Sequence, residues 1–164
     1  MKRPTEPDRW YFAYGSNLAI DRKERRTGTI RQALRCRLPD CRVVFNKKAA
    51  SGIEVYANIT PARHEAMWGV AYLCDASAIA AQDEYEGVAG GHYKHAKVSV
   101  IADGSRTLHA LTYVAGSGFV VQERQPSEAY LQTILSGARY HHLPEEYVRA
   151  LEQYARSLAH GHVP

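Results

Sequence analysis

Two ten-residue runs, Tyr93–Ala102 and Arg106–Ala115, face each other across Asp103-Gly104-Ser105. Turn residues between two strand-like runs predict a long β-hairpin. Strand-like stretches also lie upstream, near Arg42–Phe45, Glu54–Thr60 and Met67–Leu73. The segment Lys47-Lys48-Ala49-Ala50-Ser51-Gly52 reads as a loop placed to cover a pocket. Gly116-Ser117-Gly118 ends the sheet region, and the pattern then turns helical. Ser127 is a cap for a helix through Ala138, with Tyr130, Ile134 and Ala138 on one face. Pro144 opens a last helix striped by Tyr147, Val148, Leu151, Tyr154 and Leu158. Strands first and helices afterwards indicate an α+β fold. No repeat or linker interrupts the 164 residues, which suit one domain over residues 9–158 with flexible ends at 1–8 and 159–164.

A second feature concerns chemistry. Trp10 to Tyr14 is aromatic-rich and suits a strand. Gly15 follows at once and allows a sharp bend and close approach of a ligand to the main chain. Asn17 is then the expected N-cap of a helix beginning at Leu18-Ala19-Ile20. Free N–H groups at such a helix start, where the dipole is positive, make a cradle for a carboxylate or a developing oxyanion. A plain strand-to-helix turn is the simpler reading of Gly-Ser-Asn alone. Ser16 invites a nucleophile reading, but its surroundings lack the G-x-S-x-G elbow and no histidine is visibly paired with it.

A third feature is Asp83-Glu84-Tyr85-Glu86-Gly87-Val88. Asp75 or Ser77 can cap a helix running through Ile79 and Ala80 to Tyr85, with Gly87 as the stop. Glu86 then sits at the helix end, where the dipole disfavours negative charge. A partly buried carboxylate there has a raised pKa and suits general acid/base work near neutrality. Asp83 and Glu84 fall on other faces and read as solvated or structural. Taken alone, Glu86 reads more simply as an ordinary surface carboxylate.

Composition narrows the partners. The chain carries 21 Lys+Arg against 17 Asp+Glu, a formal charge of +4. Arg22, Lys23, Arg25 and Arg26 form a basic patch, read as a solvated helix face or a field attracting small anions. No basic-plus-aromatic nucleic-acid module is visible, so no nucleic-acid partner is expected. No apolar run is long enough to span a bilayer, and no apolar segment follows Met1-Lys2-Arg3-Pro4, so a cytoplasmic protein without a secretory signal is expected. Cys36, Cys41 and Cys74 lack C-x-x-C spacing and read as reduced thiols; a Cys36–Cys41 pair would require the two to be adjacent. The paired histidines, His92/His95, His141/His142 and His160/His162, form no metal-ligand motif and read as surface or packing residues.

The two chemical segments, in this order, resemble the gamma-glutamylcyclotransferase family, whose members carry a YGSN-type loop and a downstream glutamate in a DExEGV-like stretch. The similarity runs from Trp10 to about Leu151 and includes Trp68-Gly69-Val70 and Leu143-Pro144-Glu145-Glu146-Tyr147. The resemblance implies that Glu86 is the general acid/base. It implies that Tyr11, Phe12, Ala13, Tyr14, Gly15, Ser16 and Asn17 form the substrate loop, and that Tyr93, Tyr113 and Tyr130 line the cavity. With eleven tyrosines in the chain, each of these is also readable as a core aromatic. Asn17 after Ser16 is similar to the branch acting on gamma-glutamyl amino acids. A small mixed barrel flanked by helices, often a homodimer, is the implied fold.

The implied reaction closes a gamma-glutamyl amine onto its own side-chain carbonyl, giving 5-oxoproline and a free amino acid or amine. It is a lactam-forming acyl transfer that belongs to glutathione metabolism, and it calls for no cofactor or metal. Two rival readings keep the fold. One is removal of a gamma-glutamyl protecting group within a biosynthetic pathway; the other is a non-catalytic module that binds acidic metabolites.

Overall fold

A computed structural model of the chain describes residues 5–160. The outer parts of both expected flexible ends, and His162 with them, lie outside the described residues. Five strands close into a barrel in the order β1-β3-β2-β4-β5, and four α-helices flank it. The strands are β1 (Arg9–Ala13), β2 (Ala33–Lys48), β3 (Val55–Cys74), β4 (Tyr93–Ala102) and β5 (Arg106–Ala115). The helices are α1 (Ile20–Thr27), α2 (Ala76–Tyr85), α3 (Glu128–Tyr140) and α4 (Glu145–Ser157). The expected α+β mixed barrel is therefore what the chain forms.

The β4–β5 hairpin has the register its sequence predicts, from Ala102↔Arg106 to Tyr93↔Ala115. The barrel closes where β1 lies antiparallel to β3 and parallel to β5, pairing Trp10 with Ala110 and Tyr11 with Leu111. β1 and β5 are the parallel pair, each antiparallel to its other neighbour, and the C-terminal end of β1 leads into the turn that carries Gly15, Ser16 and Asn17. Gly69 makes this packing possible: a Cβ there would lie 2.3 Å from the Ala13 carbonyl oxygen and 2.6 Å from the Phe12 ring.

The three short strands expected upstream prove to be two long ones. β2 and β3 pair from Ala33↔Tyr72 to Lys48↔Val55. The expected break between Thr60 and Met67 is a bulge: Pro39 pairs with Ala66 and Cys41 with Pro61, so residues 62–65 oppose Asp40 alone. Proline offers no N–H to the ladder there, and the Asp40 carboxylate accepts from the His64 N–H at 3.0 Å instead. Exposed polar residues in that bulge erase the alternation that a sequence reading relies on. Lys47 and Lys48, expected in a loop, are the last residues of β2; the turn itself is 49–54, closed by Ala49 N–H to Glu54 O and Gly52 N–H to Ala49 O.

The α3 helix is capped by Ser127, whose hydroxyl accepts from the Tyr130 N–H. Its buried face, Leu131, Ile134, Leu135 and Ala138, joins the barrel residues and Val148, Leu151 and Ala155 of α4 in one core. Gly137 presses α3 directly onto the turn after β1, where a Cβ would meet Leu18 C at 2.4 Å and Ala19 N at 2.5 Å. Cys36, Cys41 and Cys74 are free thiols. Among the described residues no helix is long and apolar enough to cross a membrane, and no three His, Cys, Asp or Glu side chains cluster as a metal site.

Candidate active site

Three elements meet at the barrel rim. The turn after β1 supplies Gly15, Ser16 and Asn17; the end of α2 supplies Glu86; α3 supplies Tyr130. They enclose a small inner chamber of about 40 Å³, lined also by Tyr11, Tyr14, Ala57, Tyr93 and Tyr113. An adjoining outer chamber of about 330 Å³ shares Ser16, Glu86, Tyr93 and Tyr130 with it and adds Arg22, Arg26, Lys47, Tyr56 and His92. That volume falls within the range that holds small metabolites. A larger hollow of about 470 Å³ lies outside β1, β4 and β5, between Trp10, Lys97 and His109; its carboxylate, Asp8, is exposed and paired with Arg31 at 2.7 Å.

The Glu86 position follows from local helix chemistry. The Asp75 carboxylate accepts from the Ala78 N–H and starts α2; Gly87, at φ +64°, stops it. Glu86 is left as the C-terminal residue of that turn, facing the rim. Its Oε1 accepts from Asn17 Nδ2 at 2.9 Å and from Gln82 Nε2 at 2.7 Å. Both bonds fall on one oxygen, so Oε2 has no hydrogen-bond partner among the described residues. Burial raises the Glu86 pKa, while Gln82, Arg26, Asn17 and Lys47 pull it back by favouring the anion. The balance leaves the carboxylate with a raised pKa, and a carboxylate of raised pKa facing a cavity can take up and return a proton.

Asn17 does not cap a helix, contrary to expectation. It lies inside a short 3-10 turn, Ser16–Leu18, and α1 starts only at Ile20 after an extended Ala19. The dipole of α1 therefore does not back the Gly15-Ser16 main chain. The Asn17 side chain is buried and donates to Tyr11 Oη at 2.9 Å as well as to Glu86, while its Oδ1 accepts from Arg26 Nη1 at 3.1 Å. A polar side chain that could satisfy turn amides is recruited instead by a carboxylate far away in sequence. At Gly15 a Cβ would stand 3.4 Å from both Ala57 Cβ and Tyr130 Oη, taking up part of the inner chamber.

The tyrosines divide by where their hydroxyls go. Tyr14 Oη donates to the Tyr113 carbonyl at 2.6 Å, and Tyr113 Oη donates to the Asp83 carboxylate at 2.6 Å. Tyr93 Oη donates to the Ala57 carbonyl at 2.9 Å, and Tyr130 Oη accepts from the Ala57 N–H at 2.9 Å. These phenols face the chamber with their rings and fix its shape with their hydroxyls. Burial drives the Tyr11, Tyr14, Tyr93, Tyr113 and Tyr130 hydroxyls to higher pKa, so they stay protonated donors.

Two expected site residues are elsewhere. Phe12 and Ala13 are buried in the barrel and line neither chamber: alternation along β1 turns Phe12 to the face opposite Tyr11, while Ala13, on the face of Tyr11, carries only a methyl group. Of the basic patch, Arg25 is exposed as a solvated face requires, but the other three members are not. Lys23 is 1% exposed, with its ammonium over the Tyr11 and Tyr72 rings and hydrogen-bonded to Thr27. Arg22 and Arg26, one turn apart, line the outer chamber. Lys47 is 2% exposed; its ammonium donates to His92 Nδ1 and to the Lys48 carbonyl, each at 2.7 Å, among the Tyr56, Tyr93 and Phe119 rings. Sequence reasoning also missed Gln82, although its place four residues before Glu86 on one helix was a usable signal.

The sequence profile of the AIG2-like family matches residues 66–151, more than half of the chain. The chain belongs to the AIG2-like family. A gamma-glutamylcyclotransferase of Homo sapiens is 28% identical over 153 residues, covering 91% of this chain and 80% of that protein. The Mus musculus gamma-glutamylcyclotransferase is 29% identical over 146 residues, covering 87% of this chain and 76% of that protein. Among solved structures, YkqA from Bacillus subtilis superposes with a TM-score of 0.84 at 26% identity, over 95% of this chain and 57% of that one. A gamma-glutamyl cyclotransferase structure superposes with a TM-score of 0.81 at 24% identity, over 95% of this chain and 90% of that one, which shows the shared fold.

Proposed function

We propose that this AIG2-like chain is a gamma-glutamylcyclotransferase, converting a gamma-glutamyl amino acid or amine to 5-oxoproline and the free amine. The observation that carries this reading is Glu86: a half-buried carboxylate of raised pKa, one oxygen fixed and the other free, between a small inner chamber and a wider outer one. The relatives named gamma-glutamylcyclotransferase support it across most of the chain.

The reaction needs three things. The substrate must be folded so that its α-amine reaches its own γ-carbonyl, and such positioning can lower a barrier by about 7–11 kcal/mol. The rings of Tyr11, Tyr14, Tyr113 and Tyr130 shape the inner chamber for this purpose. A proton must leave the α-ammonium; Glu86 Oε2 accepts it. The amine nitrogen then bonds to the carbonyl carbon, and the carbonyl oxygen becomes an oxyanion, for which the Gly15-Ser16 main chain is the assigned partner. Collapse breaks the original C–N bond as Glu86 returns the first proton to the leaving nitrogen; the attacking nitrogen's second proton then passes through Glu86 to the released amine, which leaves as an ammonium and a neutral lactam remains. Atoms and charges balance without water. A module that merely bound acidic metabolites would gain nothing from a carboxylate on the cavity wall. With this activity go the cytoplasmic setting expected from the sequence and the homodimer that the resemblance implies; light scattering of the pure chain tests the second.

Pure protein incubated with gamma-glutamyl-alanine, a gamma-glutamyl amine and glutathione, with products read by mass, tests the activity. Formation of 5-oxoproline from at least one of them is expected. Its absence from all three refutes the proposal.

A further inference from the structure

The outer chamber carries an unbalanced charge. Arg22, Arg26 and Lys47 line it against one carboxylate, Glu86. None of the three cations forms an ion pair with a carboxylate among the described residues. Other basic residues of the chain behave differently: Arg31, Arg35, Arg139, Arg149 and Arg156 each meet an acidic partner. Nor are the chamber cations simply solvated. Lys47 is almost wholly buried, and Arg22 has a buried Nε without any hydrogen-bond partner. Leaving a buried charged donor unmatched is costly, so such a group in a cavity wall points to a ligand that matches it.

The three cations are not equivalent. Arg26 already donates to Asn17 Oδ1 and lies over the Tyr85 ring at 4.8 Å. Lys47 already donates to His92 Nδ1 and the Lys48 carbonyl. Arg22 makes no hydrogen bond to another side chain or to the main chain through its Nε, and its guanidinium offers the two-pronged geometry that fits a carboxylate. A gamma-glutamyl dipeptide with a neutral second residue brings a net charge of −1, one short of matching the chamber. One with an acidic second residue brings −2, which balances three cations against Glu86.

Resting on the cyclotransferase reading, we infer that the outer chamber selects substrates whose leaving residue is itself acidic, with Arg22 as the main reader of the additional carboxylate. Arg26 and Lys47 supply the field around it, and Tyr56 and Tyr85 wall the side chain between them. The site thus prefers gamma-glutamyl-glutamate or gamma-glutamyl-aspartate to neutral dipeptides of the same size. Because the attraction is electrostatic at a half-open mouth, it weakens as salt is added.

The test compares gamma-glutamyl-glutamate with gamma-glutamyl-glutamine, which match in shape and differ by one charge. A kcat/KM ratio of at least tenfold in favour of the acidic substrate is expected, shrinking with added salt. Arg22→Gln should bring the ratio towards one; because it is a ratio on one preparation, partial misfolding does not affect it. A wild-type ratio near one overturns the inference. A ratio kept in Arg22→Gln, Arg26→Gln and Lys47→Met alike overturns the residue assignment. If neither dipeptide is cyclised, the three-substrate assay decides the cyclotransferase reading, and calorimetric binding of the two dipeptides to the wild-type protein decides the inference alone. Tighter binding of the acidic dipeptide then supports it, whereas equal binding or none overturns it.

Discussion

Replacing Asn17 with alanine separates holding Glu86 in place from merely filling the rim. The side chain makes three hydrogen bonds: to Tyr11 Oη at 2.9 Å, to Glu86 Oε1 at 2.9 Å and from Arg26 Nη1 at 3.1 Å. A neutral bond contributes about 1 kcal/mol and a charge-assisted one about 1.5–3 kcal/mol, less where water reaches it, as at Arg26. Asn17→Ala should therefore lower stability by about 3 kcal/mol, read as a shift in the denaturation midpoint at constant slope. The second effect is on titration. An amide donor to a carboxylate favours the ionised form, so its removal pushes the already raised Glu86 pKa further up. The acid limb of the kcat/KM profile then moves to higher pH, because more alkaline solution is needed to produce the proton acceptor. The measurement is kcat/KM against pH for both proteins, below the denaturation range of the variant. An acid limb that stays in place or moves to lower pH refutes the role given to Asn17, whatever happens to stability.

Other outcomes follow from the same geometry. Glu86→Gln should reduce turnover by at least a factor of about a hundred, the lower range for losing a general acid/base, while keeping Oε1 as acceptor for Asn17 and Gln82. It should also raise stability at alkaline pH: an acid whose folded pKa is raised contributes stability fully below its unfolded pKa and loses it as pH rises through the folded value. Thermal denaturation at about pH 4 and about pH 8 checks this, with the variant's advantage confined to the higher pH. Gly137→Ala forces a methyl to within 2.4 Å of Leu18 C, so a loss of about 1–3 kcal/mol is expected, together with reduced kcat/KM from displacing the turn that carries Ser16 and Asn17. Tyr130→Phe leaves the Ala57 N–H without its acceptor and should cost about 1–2 kcal/mol in denaturant unfolding, with a smaller effect on turnover than Asn17→Ala because that hydroxyl is committed to the main chain.

Much of this protein was set by local sequence. The β4–β5 hairpin, the Ser127 and Asp75 caps and the Gly87 stop follow from a few neighbouring residues, and the structure places each where the pattern puts it. Glu86 at the end of α2 belongs to the same class, since a helix stop fixes it whatever the rest of the chain does. Only the tertiary structure decided what these pieces face. The Asn17 side chain left the turn amides for a carboxylate 69 residues away; Lys23 and Lys47 left solvent for aromatic surroundings; Arg22 and Arg26 became cavity wall. Phe12 went into the core and Tyr11 to the rim, a division that depends on which face of β1 the closed barrel encloses. The physical reason is range. Caps and turns are satisfied within one turn of chain, whereas the partner of a buried charge or polar group is whatever the barrel closure brings within hydrogen-bond distance.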